Sequence, residues 1–359
     1  MFTPAWENVA YARRLLQNGK MEKILHEERK VAGVHYTLTS DGLELPVIDV
    51  THPVFALDLG PDEQQELVRK FLAQKMPLAN WPAALRKLFF RLALRGSVLA
   101  AGLRNAEDGY MTGMHTYLLK LGPEMLGSAY TTPVDRKIAA SLPALGTRLR
   151  VQDMACLMAE TLTPALLAES QKALRFVDIA GGPSISSLNA LIVLRKKQAL
   201  LLTGRSIEIN VLDLDESGPA FGKAALVALS QQAAPLDNLR IGFRHVRYDW
   251  TKPADMQPIL RESEAKGALV IASSEGGLFE YGSDEAIVSN LETLRASPAV
   301  LAVLGSVTRA DEPMQRLRKM NTARIIPRGL ELFGALAEKA GWKIARAIER
   351  PFSDQVVLR

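Results

Sequence analysis

Four acidic residues stand where short apolar runs of this chain end, and that placement is its first chemical signal. Asp178 lies in Val177-Asp178-Ile179-Ala180-Gly181-Gly182-Pro183, and Asp213 closes Val211-Leu212-Asp213-Leu214-Asp215. Asp249 follows a third run in Tyr248-Asp249-Trp250. Glu275 follows a fourth, in Ser273-Ser274-Glu275-Gly276-Gly277-Leu278-Phe279-Glu280-Tyr281. Ionised carboxylates accept hydrogen bonds from hydroxyls, amines and ammonium groups. Gly181 and Gly182 carry no Cβ, so the backbone there can come close to a ligand. Pro183 suits the first turn of a following helix, whose free N–H groups attract an anion such as a carboxylate. Acids and a glycine turn in this order suit a nucleotide-like ligand. The glycines do not fit the Gly-x-Gly-x-x-Gly pattern of dinucleotide sites, and no phosphate-cradling Gly-x-x-x-x-Gly-Lys-Ser/Thr loop is present.

The elements that must position these residues follow from periodicity. From residue 174 onward the chain alternates strand-like and helix-like stretches, the pattern of a parallel α/β sheet. Strands are expected over 175–180, 207–212, 239–247, 268–272 and 299–305, with helices over 186–199, 220–232, 285–294 and 329–340. The runs 342–349 and 355–358 read as an antiparallel hairpin at the sheet edge. In such a sheet, ligands sit beyond the carboxyl ends of the strands where strand order reverses. All four acids fall at those ends.

Residues before 170 read differently. Helical, amphipathic periodicity covers 5–31, and Asp41-Gly42 marks a small hairpin within 36–50. A second helical stretch opens at Gly60-Pro61-Asp62-Glu63, with Asp62 as its expected cap, and 88–103 reads as a buried helix. Two stretches rich in Gly, Met, Tyr and Thr, 109–117 and 127–133, suit a lid or substrate wall. Helix returns over 149–167. The expected organisation is a mainly helical N-terminal lid with a hairpin (1–170) and a ligand-binding Rossmann-like domain (171–359).

Bulk properties narrow the function further. A chain of 359 residues, 48% hydrophobic and 23% charged, has ordinary globular composition. The net charge of +5, from 44 basic against 39 acidic side chains, is too slight to argue for nucleic acid, and Arg316-Leu317-Arg318-Lys319, with Arg324 and Arg328, reads as a solvated helix face. Cys156, the single cysteine, allows no internal disulfide and sits in an apolar run as a small hydrophobe. The five histidines form no metal-ligand spacing. His115 is the one to test as a base. No apolar run approaches the ~20 residues of a membrane span. A cytoplasmic enzyme acting on a small molecule is expected, without nucleic acid, membrane or metal, and with a homodimer left open.

The segment from Val177 to Pro183 resembles the first motif of class I S-adenosylmethionine-dependent methyltransferases, written Asp-x-Gly-x-Gly. Ala180 here replaces the usual first glycine. The resemblance covers about 174–359 and implies a Rossmann-like α/β methyltransferase sheet with S-adenosylmethionine as cofactor. It implies that Asp213 accepts the ribose hydroxyls, with Asp215 as fallback. Asp249 would meet the adenine amine, with Trp250 or Tyr248 against the ring. Asp178 would orient the methionine ammonium directly or through water, Gly181 and Gly182 would lie against the methionyl part, and Ser273 and Ser274 would line the same cleft. The Asn-Pro-Pro-Tyr signature of nucleic-acid amino methyltransferases is absent after the fourth strand. Glu275 is the expected base or ammonium partner, Tyr281 offers a ring face to the sulfonium, and Tyr130 is the third catalytic candidate.

Methyl transfer to a small metabolite is the first expectation. The Ala-Gly-Gly-Pro-Ser loop, the segment 273–282 and the helical front domain also resemble a small bacterial group with the same fold. In that group the α-amine of S-adenosylmethionine attacks its own γ-carbon, giving azetidine-2-carboxylate and methylthioadenosine. A non-catalytic S-adenosylmethionine-binding scaffold is the third reading.

Overall fold

The computed structural model describes residues 29–74, 96–105, 111–127, 131–320 and 324–359. Most of the expected helix over 5–31, much of 88–103, and Tyr130 lie outside them.

Among the described residues nine strands form two sheets: β1 (Tyr36–Leu38) and β2 (Glu44–Pro46) make a hairpin, and β3 (Leu174–Ile179), β4 (Ser206–Asp213), β5 (Arg240–Arg247), β6 (Leu269–Ser274), β7 (Val300–Thr308), β8 (Ile344–Glu349) and β9 (Ser353–Leu358) make the large sheet. Its order is β5-β4-β3-β6-β7-β9-β8. Strands β3 to β7 are parallel, and β9 inserts antiparallel between β7 and β8. Every residue of β3 and β6 is buried, as expected of central parallel strands covered by helices on both faces. Strand order reverses between β3 and β6, so the crevice outside their carboxyl ends is where this architecture takes ligands.

One apolar core spans both sides of residue 170. Leu45, Ile48 and Phe55 from the hairpin region pack with Met154 and Leu157 of the Leu142–Ala168 helix, and with Leu188 and Phe176. The change of pattern at 170 is therefore not a gap in packing. A second core on the other sheet face gathers Val177, Val270, Leu291, Phe333 and Trp342. The 27-residue Leu142–Ala168 helix starts at Ser141, whose hydroxyl accepts the Ala144 N–H, and buries residues around most of its circumference. It begins earlier than its apolar pattern suggests because Pro143 suits a first turn.

Tyr117 ties the hairpin to this framework. Its hydroxyl donates to Pro46 O (2.6 Å) and accepts from Ile48 N (3.1 Å), while its ring packs on Phe221 with centroids 4.7 Å apart. Tyr117→Phe keeps the ring and orphans one carbonyl and one amide. The expected cost is about 1–3 kcal/mol, visible as a lower urea midpoint with an unchanged slope. An unchanged midpoint would mean that the hydroxyl does not hold the hairpin.

One local expectation is corrected, and one helix was not expected. Asp62 does not cap the Pro61–Ala73 helix: Gly60 occupies the cap position without a side-chain bond, and Asp62 sits in the first turn, where the helix dipole favours it. The Gln257–Ala265 helix, only nine residues long with Pro258 at its start, gave no clear periodic signal.

Candidate active site at the strand reversal

Asp178 is the penultimate residue of β3 and only 2% exposed. Its oxygens accept from Ser187 Oγ (2.7 Å), Ser273 Oγ (2.7 Å) and Ser184 Oγ. Burial pushes the carboxyl above the usual range, outweighing the opposite pull of the three hydroxyls. Where the sequence placed an ammonium, directly or through water, the structure sets three serine hydroxyls against this carboxyl. Those bonds knot β3, β6 and the following helix together. Ser273 and Ser274 are likewise committed: Ser273 to Asp178, and Ser274 as acceptor of the Leu278 N–H (2.9 Å).

The turn after β3 carries Ala180, Gly182 and Ser184 in left-handed backbone conformations. Its glycines serve close approach, but of protein backbone. A Cβ on Gly113 would lie 2.8 Å from Gly182 Cα, and one on Gly218 2.9 Å from the same atom. A Cβ on Gly222 would lie 2.3 Å from Pro183 O. The starts of the Gly113–Lys120 and Ser217–Leu229 helices therefore sit directly on the turn. The sequence reserved this approach for a ligand at Gly182; the neighbouring helices occupy it. Single glycines inside helical stretches gave no signal of this use.

Asp213 ends β4. Its Oδ2 accepts the Gly182 N–H (2.8 Å) and its Oδ1 the Asp215 N–H (2.9 Å). Burial raises its pKa against the pull of these two amides. A carboxylate offers about four acceptor directions, so two bonds leave capacity. Asp215, the fallback, instead accepts from Ser217 Oγ (2.6 Å) and helps start the next helix. Leu214 between them is 51% exposed, an apolar side chain beside the carboxylate that the sequence reading passed over.

At the end of β5, Asp249 accepts from Thr251 N (3.0 Å) and Thr251 Oγ1 (2.8 Å), which hold its carboxyl below the usual range. Trp250 is half-buried. Tyr248 is buried, and its hydroxyl donates to Asn290 Oδ1 (2.5 Å). That removes Tyr248 as the ring partner, because it belongs to the second core.

Beyond β6 the rim carries a buried ion cluster. Glu275 accepts from Lys120 Nζ (2.9 Å), Ser186 Oγ (2.8 Å) and Arg150 Nε (2.8 Å), and Arg150 also donates to Glu280 (2.7 Å). Burial pushes Glu275 up, yet Lys120 and Arg150 outweigh it and hold its carboxyl below the usual range. A base working near neutrality needs the opposite shift. Glu275 thus stands at the expected strand end, held by two cations and one hydroxyl. The segment is clamped from behind by Arg328, which is buried rather than on the expected solvated face and donates to Phe279 O (3.1 Å), Gly282 O (2.5 Å) and Asp284 (2.9 Å). Ser283 caps the next helix by accepting the Ala286 N–H (3.2 Å). Tyr281 is half-buried near Glu280 and Arg150, and burial pushes its phenol well up.

His115 lies in the helix that roofs the glycine turn, with Nδ1 2.8 Å from Thr112 Oγ1. Burial lowers its pKa, opposed by Asp215. Among the described residues no His, Cys, Asp and Glu group is arranged to hold a metal, and no helix is long and apolar enough to cross a membrane. Two cavities open elsewhere. One of about 330 Å³ lies between Val50, Leu57, Cys156 and Val193, and one of about 480 Å³ between Tyr36, Glu124 and Arg136. Neither touches the strand ends where the carboxylates gather, and the chemistry points to the strand ends.

Five parallel strands reversing between β3 and β6, with one antiparallel strand inserted before the last, decide the architecture. The fold is a Rossmann-like α/β one built on a mostly parallel seven-stranded sheet. No protein-family model and no curated protein matches the chain. Among solved structures, LepI in complex with SAM shows 17% identity over 53% of this chain and 43% of its own, with a TM-score of 0.34. Magnesium protoporphyrin IX methyltransferase from Synechocystis with bound SAH shows 14% identity over 59% of this chain and 85% of its own, at 0.37. PigF with SAH shows 13% identity over 99% and 85%, at 0.37. This chain thus spans less than half the length of the first. On the rim at the strand reversal, Asp178, Glu275, Ser186 and the glycine turn form one connected patch. Asp213 joins it through Gly182, and Asp249 stands one strand further out.

Proposed function

We propose that the chain binds S-adenosylmethionine across the β3–β6 rim and transfers its methyl group to a small metabolite. The observation that carries this reading is Asp213: it ends β4, its oxygens are oriented by the Gly182 and Asp215 amides, and acceptor capacity remains for a ribose diol. The residues around it fit the same group. Leu214 offers exposed apolar surface for adenine, and Trp250 and Asp249 stand at the end of the adjacent strand for the ring and its exocyclic amine. When bound, this cofactor supplies a sulfonium whose attached carbons are electrophilic. The protein's share is to hold, orient and exclude water. Glu275 contributes negative charge near the sulfonium, and Tyr281 offers a ring face to it.

Cyclisation of the cofactor is the second reading, favoured by the roof over the glycine turn. The Gly113–Lys120 helix lies against Gly182, and the Glu275 and Asp178 side chains are both largely buried, which suits an enclosed reaction without a separate acceptor. There the α-amine nitrogen bonds to the γ-carbon, the C–S bond breaks, and the amine proton leaves to water.

Incubating the full chain with S-adenosylmethionine, alone and with a panel of small hydroxyl and amine metabolites, tests both by mass analysis. Methyl transfer predicts an intact cofactor alone and S-adenosylhomocysteine once an acceptor is present. Methylthioadenosine with a C4 cyclic amino acid and no acceptor would replace it by cyclisation. Calorimetric binding with no product under any condition would leave a scaffold.

A further inference from the structure

We propose that Lys120 and Glu275 form an exchangeable clamp for an α-amino acid zwitterion: their mutual ion pair opens so that Lys120 takes the ligand's carboxylate and Glu275 its ammonium. This rests on the cofactor reading above and specifies which end of the ligand is recognised, and by what.

The location comes first. Glu275 follows β6 directly, at the strand reversal, and Ser186 from the first turn after the glycine loop donates to it. Lys120 ends the helix whose first residue, Gly113, rests on Gly182. At 1.5 Å per residue that helix spans about 10 Å, from the glycine turn to the ion cluster. The clamp therefore lies along the rim, across from Asp213.

The cluster's bonding is uneven. Arg150 bridges Glu275 and Glu280 and is needed by both. Among the described residues Lys120 makes a single hydrogen bond, to Glu275, although its ammonium has three donors and its side chain is only 7% exposed. A buried ammonium with donors left over is costly to keep, and a buried ion pair is weak evidence of stability. A ligand carboxylate would satisfy those donors. The exchange also conserves charge: one internal pair becomes two pairs with a neutral zwitterion, so no net charge enters a buried site. A ligand carrying only an anion or only a cation would leave one partner unmatched.

The test compares two nucleosides that differ at this end. S-adenosylhomocysteine carries the amino acid; methylthioadenosine has the same nucleoside and thioether without it. Calorimetry on the wild type should show S-adenosylhomocysteine binding more tightly. In Lys120→Met its affinity should fall about tenfold or more, the worth of a charge-assisted bond, with methylthioadenosine unchanged. Lys120→Gln, which keeps an amide donor for Glu275 but no charge, should show the same selective loss and guards against a folding defect in the first variant. Equal losses for both nucleosides, or no loss for either, would overturn the clamp and leave the cofactor reading standing. A wild type that binds neither nucleoside overturns both.

Discussion

Arg150→Met is expected to lower the stability of the whole fold by about 3–5 kcal/mol, the range seen when one member of a buried ion group is removed. Arg150 is 6% exposed and donates to two carboxylates, Glu275 and Glu280, both on the segment after β6. Methionine fills a similar volume, so packing loss is small and the effect isolates the charge. Lys120 and Ser186 still serve Glu275, whereas Glu280 loses its ion-pair partner. The Arg150→Met/Glu280→Gln double variant should therefore recover much of the loss in urea unfolding. If the double variant is as unstable as the single, the damage comes from packing around Gly276, whose added Cβ would sit 2.5 Å from Arg150 Nη2, and not from the orphaned carboxylate.

Asp213→Ala should weaken S-adenosylhomocysteine binding about a hundredfold or more. Hydrogen bonds to a charged acceptor are worth about 1.5–3 kcal/mol each, and two ribose hydroxyls would lose theirs. The same change frees the Gly182 N–H, so the glycine turn loses an anchor as well. Asp213→Asn separates these contributions. Its amide oxygen can still accept one amide while the charge is gone, so affinity should fall between wild type and alanine. Calorimetry with unchanged affinity in the alanine variant would remove the ribose assignment.

The strands were legible in the sequence because central parallel strands, buried on both faces, read as continuous apolar runs: all five expected ones occur, shifted by a few residues at most. The hairpin at Asp41-Gly42 was legible for a local reason, a glycine with φ of +83° at a tight turn. Which acids stand at strand ends was equally visible, since position in an apolar run fixes it. What each acid does there was not visible. Asp178 is held by serines 6, 9 and 95 residues away, and Glu275 by cations 155 and 125 residues away. Such partners are set by tertiary packing, and no spacing rule in one sequence announces them. Lys120 and Arg150 escaped notice for the same reason: within helical stretches they look like ordinary surface cations, and only the folded arrangement buries them.

At Gly182, three stretches of main chain from distant parts of the sequence meet with nothing but hydrogen between them. A single methyl group at 113, 182 or 218 would act as a wedge at this junction, parting the roof helix from the sheet on one side and the Asp213 strand from its neighbouring helix on the other. The tolerances of the rim are thus set below the size of one carbon atom. Changes in ligand preference must come from its periphery, where Leu214 and Trp250 have room to vary.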